Sequence, residues 1–378
     1  MSEPIIVRGA PALYYCETGI LSKLDTLLEP YGFKRVLVVH GEHSWQAAQP
    51  FFPQQTRLTL LQLRYNGECT EAEAQRVADY AHAEQADVIL GVGGGKVLDL
   101  VKAAGHVAQL ETILAPTLAS NCAAWTPLSV FYNEDGQFTT YTIFPKSSLM
   151  VLVEPTISLH APIPYLRAGI ADTLAKWYEA DVLIRKVNNP SLAIQIAHHA
   201  AHLCRSILLM HGEASIQAAE SKQLSDAFIQ VIETIIMAGG MVGGYGDYMG
   251  RIAGAHAVHN GLTVAPATHD RLHGEKVAYG ILIQLVLERN EQEVWDLLPF
   301  YKKMKLPYHL AGLGLSLEDH ETLVQIAVGT TQPQESIHLM DVKKDGSSIN
   351  ADDVYQAIFK LEGLVYEAED RISASVMI

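Results

Sequence analysis

Five short apolar runs, separated by helix-length amphipathic stretches, mark the first 155 residues of the chain, and strand signals nearly vanish after them. The runs are Arg35–His40, Thr59–Leu63, Asp87–Gly91, Thr112–Pro116 and Leu149–Val153. Between them, helical spacing begins at His43, returns over Glu71–Glu84 with Val77, Tyr80 and Ala81 on one face, and returns again over Val97–Gly105. Buried strands alternating with helices argue for a parallel sheet with helical crossovers. One interruption differs. Leu128–Tyr132 and Phe138–Ile143 flank the turn residues Asn133–Gly136, which predicts an antiparallel hairpin.

After Pro155, Pro162 and Pro164 the pattern changes to helical periodicity. Helices are expected over Tyr165–Lys186, Ser191–Leu209, Lys222–Met237, Gly274–Glu288, Glu291–Lys303, Leu317–Val328 and Ala351–Leu364. A chain of 378 residues exceeds one ordinary core, so two domains are expected, 1–160 α/β and 161–378 all-α. Apolar residues make up 49% and charged residues only 18%, which favours a compact, self-associating protein. A net charge of −15 argues against nucleic acid or an anionic membrane as partner. The Val231–Gly244 run is broken by Glu233 and by glycines, so it is expected to be a buried helix end rather than a membrane span. The cysteines, Cys16, Cys69, Cys122 and Cys204, are widely spaced, and the N-terminus lacks a basic, apolar leader; a reducing cytoplasm is the expected location.

Two constellations carry chemistry. Gly93-Gly94-Gly95-Lys96 joins an expected strand to an expected helix. Consecutive glycines let a backbone approach a diphosphate, and a helix N-terminus offers free N–H groups and a positive dipole end. The spacing is neither G-x-G-x-x-G nor a P-loop, and a tight turn without ligand would also account for it. The second constellation is divided along the chain. Asp172 lies among apolar residues on an expected helix, where either a metal or Lys176 one turn on could answer its charge. Four histidines fall between 256 and 273. His256 and His273 with Asp172 would give two imidazoles and a carboxylate, a donor set that suits zinc or ferrous iron and leaves a coordination position free for a substrate oxygen. His259, at i+3 from His256, could support a ligand, relay a proton or simply pack; His269 reads as a loop histidine. The Gly239–Asp247 run follows no strand and is expected to serve close helix packing near the metal residues.

With these residues together, the chain resembles the iron-containing, group III alcohol dehydrogenases, on their glycerol dehydrogenase side. The resemblance rests on Gly91–Lys96 with Asp99, Ala115-Pro116-Thr117, Leu128–Tyr132, Gly169–Asp172, Ala255–Gly261 and His273–Ala278. It implies a dehydroquinate synthase-like fold: an N-terminal nucleotide-binding α/β domain, a C-terminal helical metal-binding domain and the site between them. It implies NAD or NADP held by Gly93, Gly94, Gly95, Lys96 and Asp99, with Thr117, Ser120, Thr126, Leu128 and Tyr132 lining the nicotinamide end. It also implies one divalent metal on Asp172, His256 and His273.

Three departures refine the expectation. The iron-binding branch has a histidine where Lys176 stands, which favours zinc. Glycerol dehydrogenases bind the polyol with an aspartate at the position of Cys122, and a thiol cannot accept two hydroxyl hydrogen bonds. Cys122–Pro127 resembles instead the hydroxycarboxylate dehydrogenase branch, so a small 2-hydroxy acid and its 2-oxo acid are the expected substrate pair. Glycerol oxidation and a dehydroquinate synthase-like lyase reaction are the alternatives. Gly41 stands where NAD-preferring members carry an acid for the ribose hydroxyls, which admits NADP.

Overall fold

The computed structural model describes residues 5–376, with side chains through residue 370. Eight strands precede residue 154: β1 (Leu13–Cys16), β2 (Arg35–His40), β3 (Thr59–Arg64), β4 (Val88–Gly93), β5 (Glu111–Pro116), β6 (Leu128–Tyr132), β7 (Phe138–Ile143) and β8 (Met150–Val153). Six of them form one parallel sheet in the order β1-β8-β5-β4-β2-β3; β6 and β7 form a separate antiparallel hairpin. Helices α1 (Leu24–Leu28), α2 (Glu42–Ala48), α3 (Glu71–Ala83) and α4 (Gly95–Ala108) supply crossovers. Val36–Val39, Val88–Leu90 and Met150–Val153 are all buried, as strands covered on both faces must be.

Beyond β8 the regular structure is helical: α5 (Pro155–His160), α6 (Ile163–Ile184), α7 (Leu192–Ser221), α8 (Asp226–Glu233), a π-helical turn (Thr234–Ala238), α9 (Gly239–Gly246), α10 (Tyr248–Arg251), α11 (Gly254–Leu262), α12 (His273–Leu287), α13 (Glu291–Met304), α14 (His320–Thr330) and α15 (Ala351–Val376). Several limits differ from those expected. The second long helix does not stop at Leu209, because Gly212 is a contact position rather than a breaker. A Cβ there would stand 3.2 Å from the Phe300 ring of α13. The next helix starts at Asp226, not Lys222: Lys222 takes φ +56° to close α7, and the Ser225 hydroxyl caps α8 by accepting from Phe228 N–H. Strand β1, only four residues long, is too short to display a pattern in sequence, and α15 continues well past Leu364.

The stretch Asp226–Gly246 is long and apolar enough to cross a membrane. Its apolar side chains are instead used in packing: Phe228, Val231, Ile232, Ile235, Ile236 and Val242 are all fully buried. The glycines of α9 do serve close packing. A Cβ on Gly240 would lie 2.4 Å from the Trp125 side chain, so the helix can rest on the loop after β5 only at a glycine.

Strand order decides where a ligand can sit. From β2 the chain goes outward to β3, then returns across β2 to β4. At that switch point the connections leave in opposite directions and open a crevice beyond the strand carboxyl ends. His40 pairs with both Arg64 and Val92, and Gly93 with Pro116. The ends of β2, β3, β4 and β5 are therefore level, and Gly41, Gly94 and Thr117 emerge side by side.

Candidate active site

A cleft of about 1790 Å³ runs from the sheet ends to the helical half. Gly41, Gly94, Gly95, Lys96, Asp99, Thr117, Ser120, Cys122, Thr126, Leu128, Tyr132, Asp172, His256 and His273 all line it. Gly93 and His259 stand just behind its wall. Gly93 packs on Val97, whose side chain lies 2.7 Å from where a Cβ would be.

At the sheet end, Gly94 stands as the N-cap of α4 and offers no side chain to cap it, so the first N–H groups of the helix are available to an anion in the cleft. A side chain at Gly94 would meet Leu118 at 3.1 Å, and one at Gly95 would meet Asn121 at 2.8 Å. Glycine thus keeps the backbone exposed where a pyrophosphate could approach, and the cradle fits a dinucleotide. Lys96 leans over this cradle, paired with Glu68 at 2.5 Å and 5.1 Å above the centre of the Tyr132 ring. The Asp99 carboxylate points away from it. It takes an ion pair from Lys102 at 2.8 Å and the N–H of Val130 at 3.1 Å. Lys102 is buried in α4 and also donates to the carbonyls of Ala123, Thr126 and Leu128. This lysine, invisible as a functional residue in sequence because it reads as a surface position of an amphipathic helix, fixes the loop that presents Cys122, Thr126 and Leu128.

At the helical end, α6, α11 and α12 bring together residues far apart in sequence. Gly274 allows it: a Cβ there would lie 1.9 Å from the carbonyl oxygen of Ala168, so α12 meets α6 backbone to backbone. Glu275 accepts from Leu272 N–H and fixes the first turn of α12, with His273 as its first residue. Asp172 is buried on α6, and its Oδ1 lies 3.1 Å from His273 Nε2 and 3.3 Å from His256 Nε2. One ligand atom from each residue falls within 4.8 Å of the others. Burial pushes the Asp172 carboxyl up, but the hydrogen bonds to the two imidazoles outweigh it and hold the group well below the usual carboxylate range. Lys176 is not its ion-pair partner; the ammonium donates to the carbonyl of Arg251 at 3.2 Å.

Glu179 was not foreseen. It lies two turns beyond Asp172 on the same face of α6 and is fully buried. Its Oε2 lies 2.7 Å from His256 Nδ1, and its Oε1 accepts the N–H groups of Ala253 and His256. An i, i+7 pair of carboxylates in an apolar helix was the available clue. Burial pushes His256 down, but Glu179 overrides it and raises the imidazole to about 9. With Nδ1–H donated to Glu179, Nε2 is turned toward Asp172, as a carboxylate–histidine–metal arrangement requires. On the other side, His273 Nδ1 lies 3.0 Å from His259 Nε2, and His259 Nδ1 lies 3.0 Å from Asn260 Oδ1. A buried carboxylate and two imidazoles with their outer nitrogens already engaged fit a divalent ion such as zinc or ferrous iron. Removing only the outer charge, as in Glu179→Gln, should weaken zinc retention roughly 10- to 100-fold. Competition with a chelator measures it, and unchanged retention would mean that Glu179 merely packs.

A glycine cradle at a sheet switch point, facing a carboxylate and two imidazoles across one cleft, defines a metal-dependent dehydrogenase. Comparison with known proteins agrees. The sequence profile of the iron-containing alcohol dehydrogenases matches residues 11–155. Hydroxycarboxylate dehydrogenase A of Escherichia coli K12 is 40% identical over 353 residues, covering 92% of this chain and 96% of its own length. Glycerol dehydrogenase of Thermotoga maritima is 33% identical, covering 87% and 90%. The crystal structure of glycerol dehydrogenase from Schizosaccharomyces pombe superposes with a TM-score of 0.86 at 28% identity, covering 98% and 94%. The chain belongs to the iron-containing alcohol dehydrogenase family, a family of NAD(P)-linked oxidoreductases that use a divalent metal.

Proposed function

We propose that this enzyme interconverts a small 2-hydroxy acid and its 2-oxo acid, with NADP as the preferred nucleotide and zinc as the metal. The observation that carries the substrate reading is Cys122. It lines the same cleft as Asp172 and stands where the polyol-binding relatives would place a carboxylate. Burial pushes its thiol up from the ordinary value, so the group stays protonated and brings no negative charge against an acid. The 40% identity with a hydroxycarboxylate dehydrogenase supports the same reading.

The nucleotide preference is supported at the end of β2. Gly41 offers no carboxylate to ribose hydroxyls, and a side chain there would press on Tyr65, 3.1 Å from its ring. Glu42, the neighbouring acid, is tied to Arg64 at 2.9 Å. Arg64 itself lines the cleft, where it could answer a 2′-phosphate.

A divalent ion on Asp172, His256 and His273 would supply Lewis-acid polarisation of the substrate oxygen, and the nicotinamide would supply or accept hydride. The chain's own residues do the rest. Glu179 and His259 hold the two imidazoles by their outer nitrogens. His259 accepts from His273 rather than reaching the cleft, so its role is to orient that ring. The glycines and the first turn of α4 bind and orient the nucleotide. Lys102 holds the loop that closes the nicotinamide end against water. We place the enzyme in the cytoplasm, where its four free cysteines remain reduced, acting as a homo-oligomer on a small molecule.

The test is oxidation of NADPH and NADH with 2-oxobutanoate, 2-oxoglutarate, methylglyoxal and dihydroxyacetone, each with and without added zinc. Turnover of the oxo acids with NADPH is expected. Turnover of dihydroxyacetone with NADH alone would replace this reading by a polyol dehydrogenase.

A further inference from the structure

We propose that the Lys176 ammonium receives the carboxylate of the substrate and thereby selects acids over neutral hydroxy compounds. The proposal rests on the 2-hydroxy acid reading and gives it a residue.

Lys176 follows Asp172 by one turn of α6 and lines the cleft with it. Side chains so spaced are neighbours on a helix face. A 2-hydroxy acid sets its carboxylate on the carbon next to the reacting one. A cation one turn from Asp172 stands beside the residue that would hold the metal, on the side where such a carboxylate could extend. Cys122, on the loop after β5, lines the same cleft, so the ammonium and that loop bound one space.

Its bonding is incomplete. Three other cations of the cleft wall are answered by carboxylates: Arg64 by Glu42 at 2.9 Å, Lys96 by Glu68 at 2.5 Å and Arg251 by Asp247 at 2.5 Å. Among the described residues Lys176 has no carboxylate within ion-pair distance, and its single hydrogen bond goes to the Arg251 carbonyl at 3.2 Å. An ammonium has three donors, and a partly buried charge with spare donors favours an anionic partner. Arg8 is the other cation of the wall without an ion pair among the described residues, and it serves as the rival in the test.

The experiment uses zinc-loaded enzyme with NADPH. It compares wild type, Lys176→Met and Arg8→Met on 2-oxobutanoate and on its neutral counterpart 1-hydroxy-2-butanone, with oxamate binding measured alongside. Lys176→Met should lose about 30- to 100-fold in kcat/KM on the acid, the loss expected for one charge-assisted hydrogen bond. It should change about threefold or less on the neutral ketone and keep its zinc. Oxamate should weaken in parallel. Equal losses on both substrates, or a selective loss in Arg8→Met alone, would overturn the assignment. The wild-type preference tests the functional reading separately. If wild type favours the neutral ketone yet binds oxamate through Lys176, the anion subsite stands and the 2-hydroxy acid reading falls.

Discussion

Asp172→Asn should lose bound metal and turnover together, by more than the roughly 10- to 100-fold typical of substitutions one layer out from a metal. The Oδ1 atom of Asp172 is the point on which His256 and His273 both converge, at 3.3 and 3.1 Å. Asparagine keeps the shape but removes the charge, and one of its two terminal atoms becomes an N–H₂ donor that cannot bind a cation. The neighbouring Glu179 cannot substitute, because both of its oxygens are already engaged. Metal content by elemental analysis, turnover and a denaturation curve, taken on one preparation, make the check. Full activity in a folded variant without metal would remove the ion from the proposed chemistry.

The second large effect is on stability. Gly274→Ala places a methyl group 1.9 Å from the Ala168 carbonyl oxygen and 2.5 Å from its carbon, both backbone atoms of α6. No rotamer relieves such a contact, so α12 must move away from α6 and carry His273 with it. A cost of about 3 kcal/mol, or failure to accumulate folded protein, is expected. Gly363→Ala is the control. Nothing lies within 4 Å of a Cβ at that helical position, and alanine there should leave stability unchanged or raise it by up to about 1 kcal/mol. Equal denaturation midpoints for the two variants would show that the helix contact is looser than described.

Some of this was written plainly in the chain. β-Branched runs bounded by turns announced β2 to β5 and β8, because a strand covered on both faces has no polar option. Asn133–Gly136 announced the hairpin. Asp172 stood out because a carboxylate among apolar neighbours must have a partner, though the chain left a metal and Lys176 equally open as that partner. What stayed hidden depends on neighbours that sequence does not display. Gly212 reads as a helix stop until Phe300 is placed against it, and Lys222 closes a helix with a left-handed φ usually reserved for glycine. Lys102 reads as a solvent-facing lysine until three carbonyls surround its head, and Glu179 as a surface acid until His256 arrives from α11. Asp99 shows the same limit from the other side: the glycine motif located it, but only packing reveals that it braces the β6 segment.

The sheet also has an order of assembly written into it. Among the described strands β1 comes earliest in the chain, yet its one neighbour is β8, the latest, with Leu13 opposite Met150. During synthesis β2 through β5 can pair as they emerge, while the strand Leu13–Cys16 must wait with its backbone groups unanswered. That interval is when the nascent chain most resembles an open template for another chain.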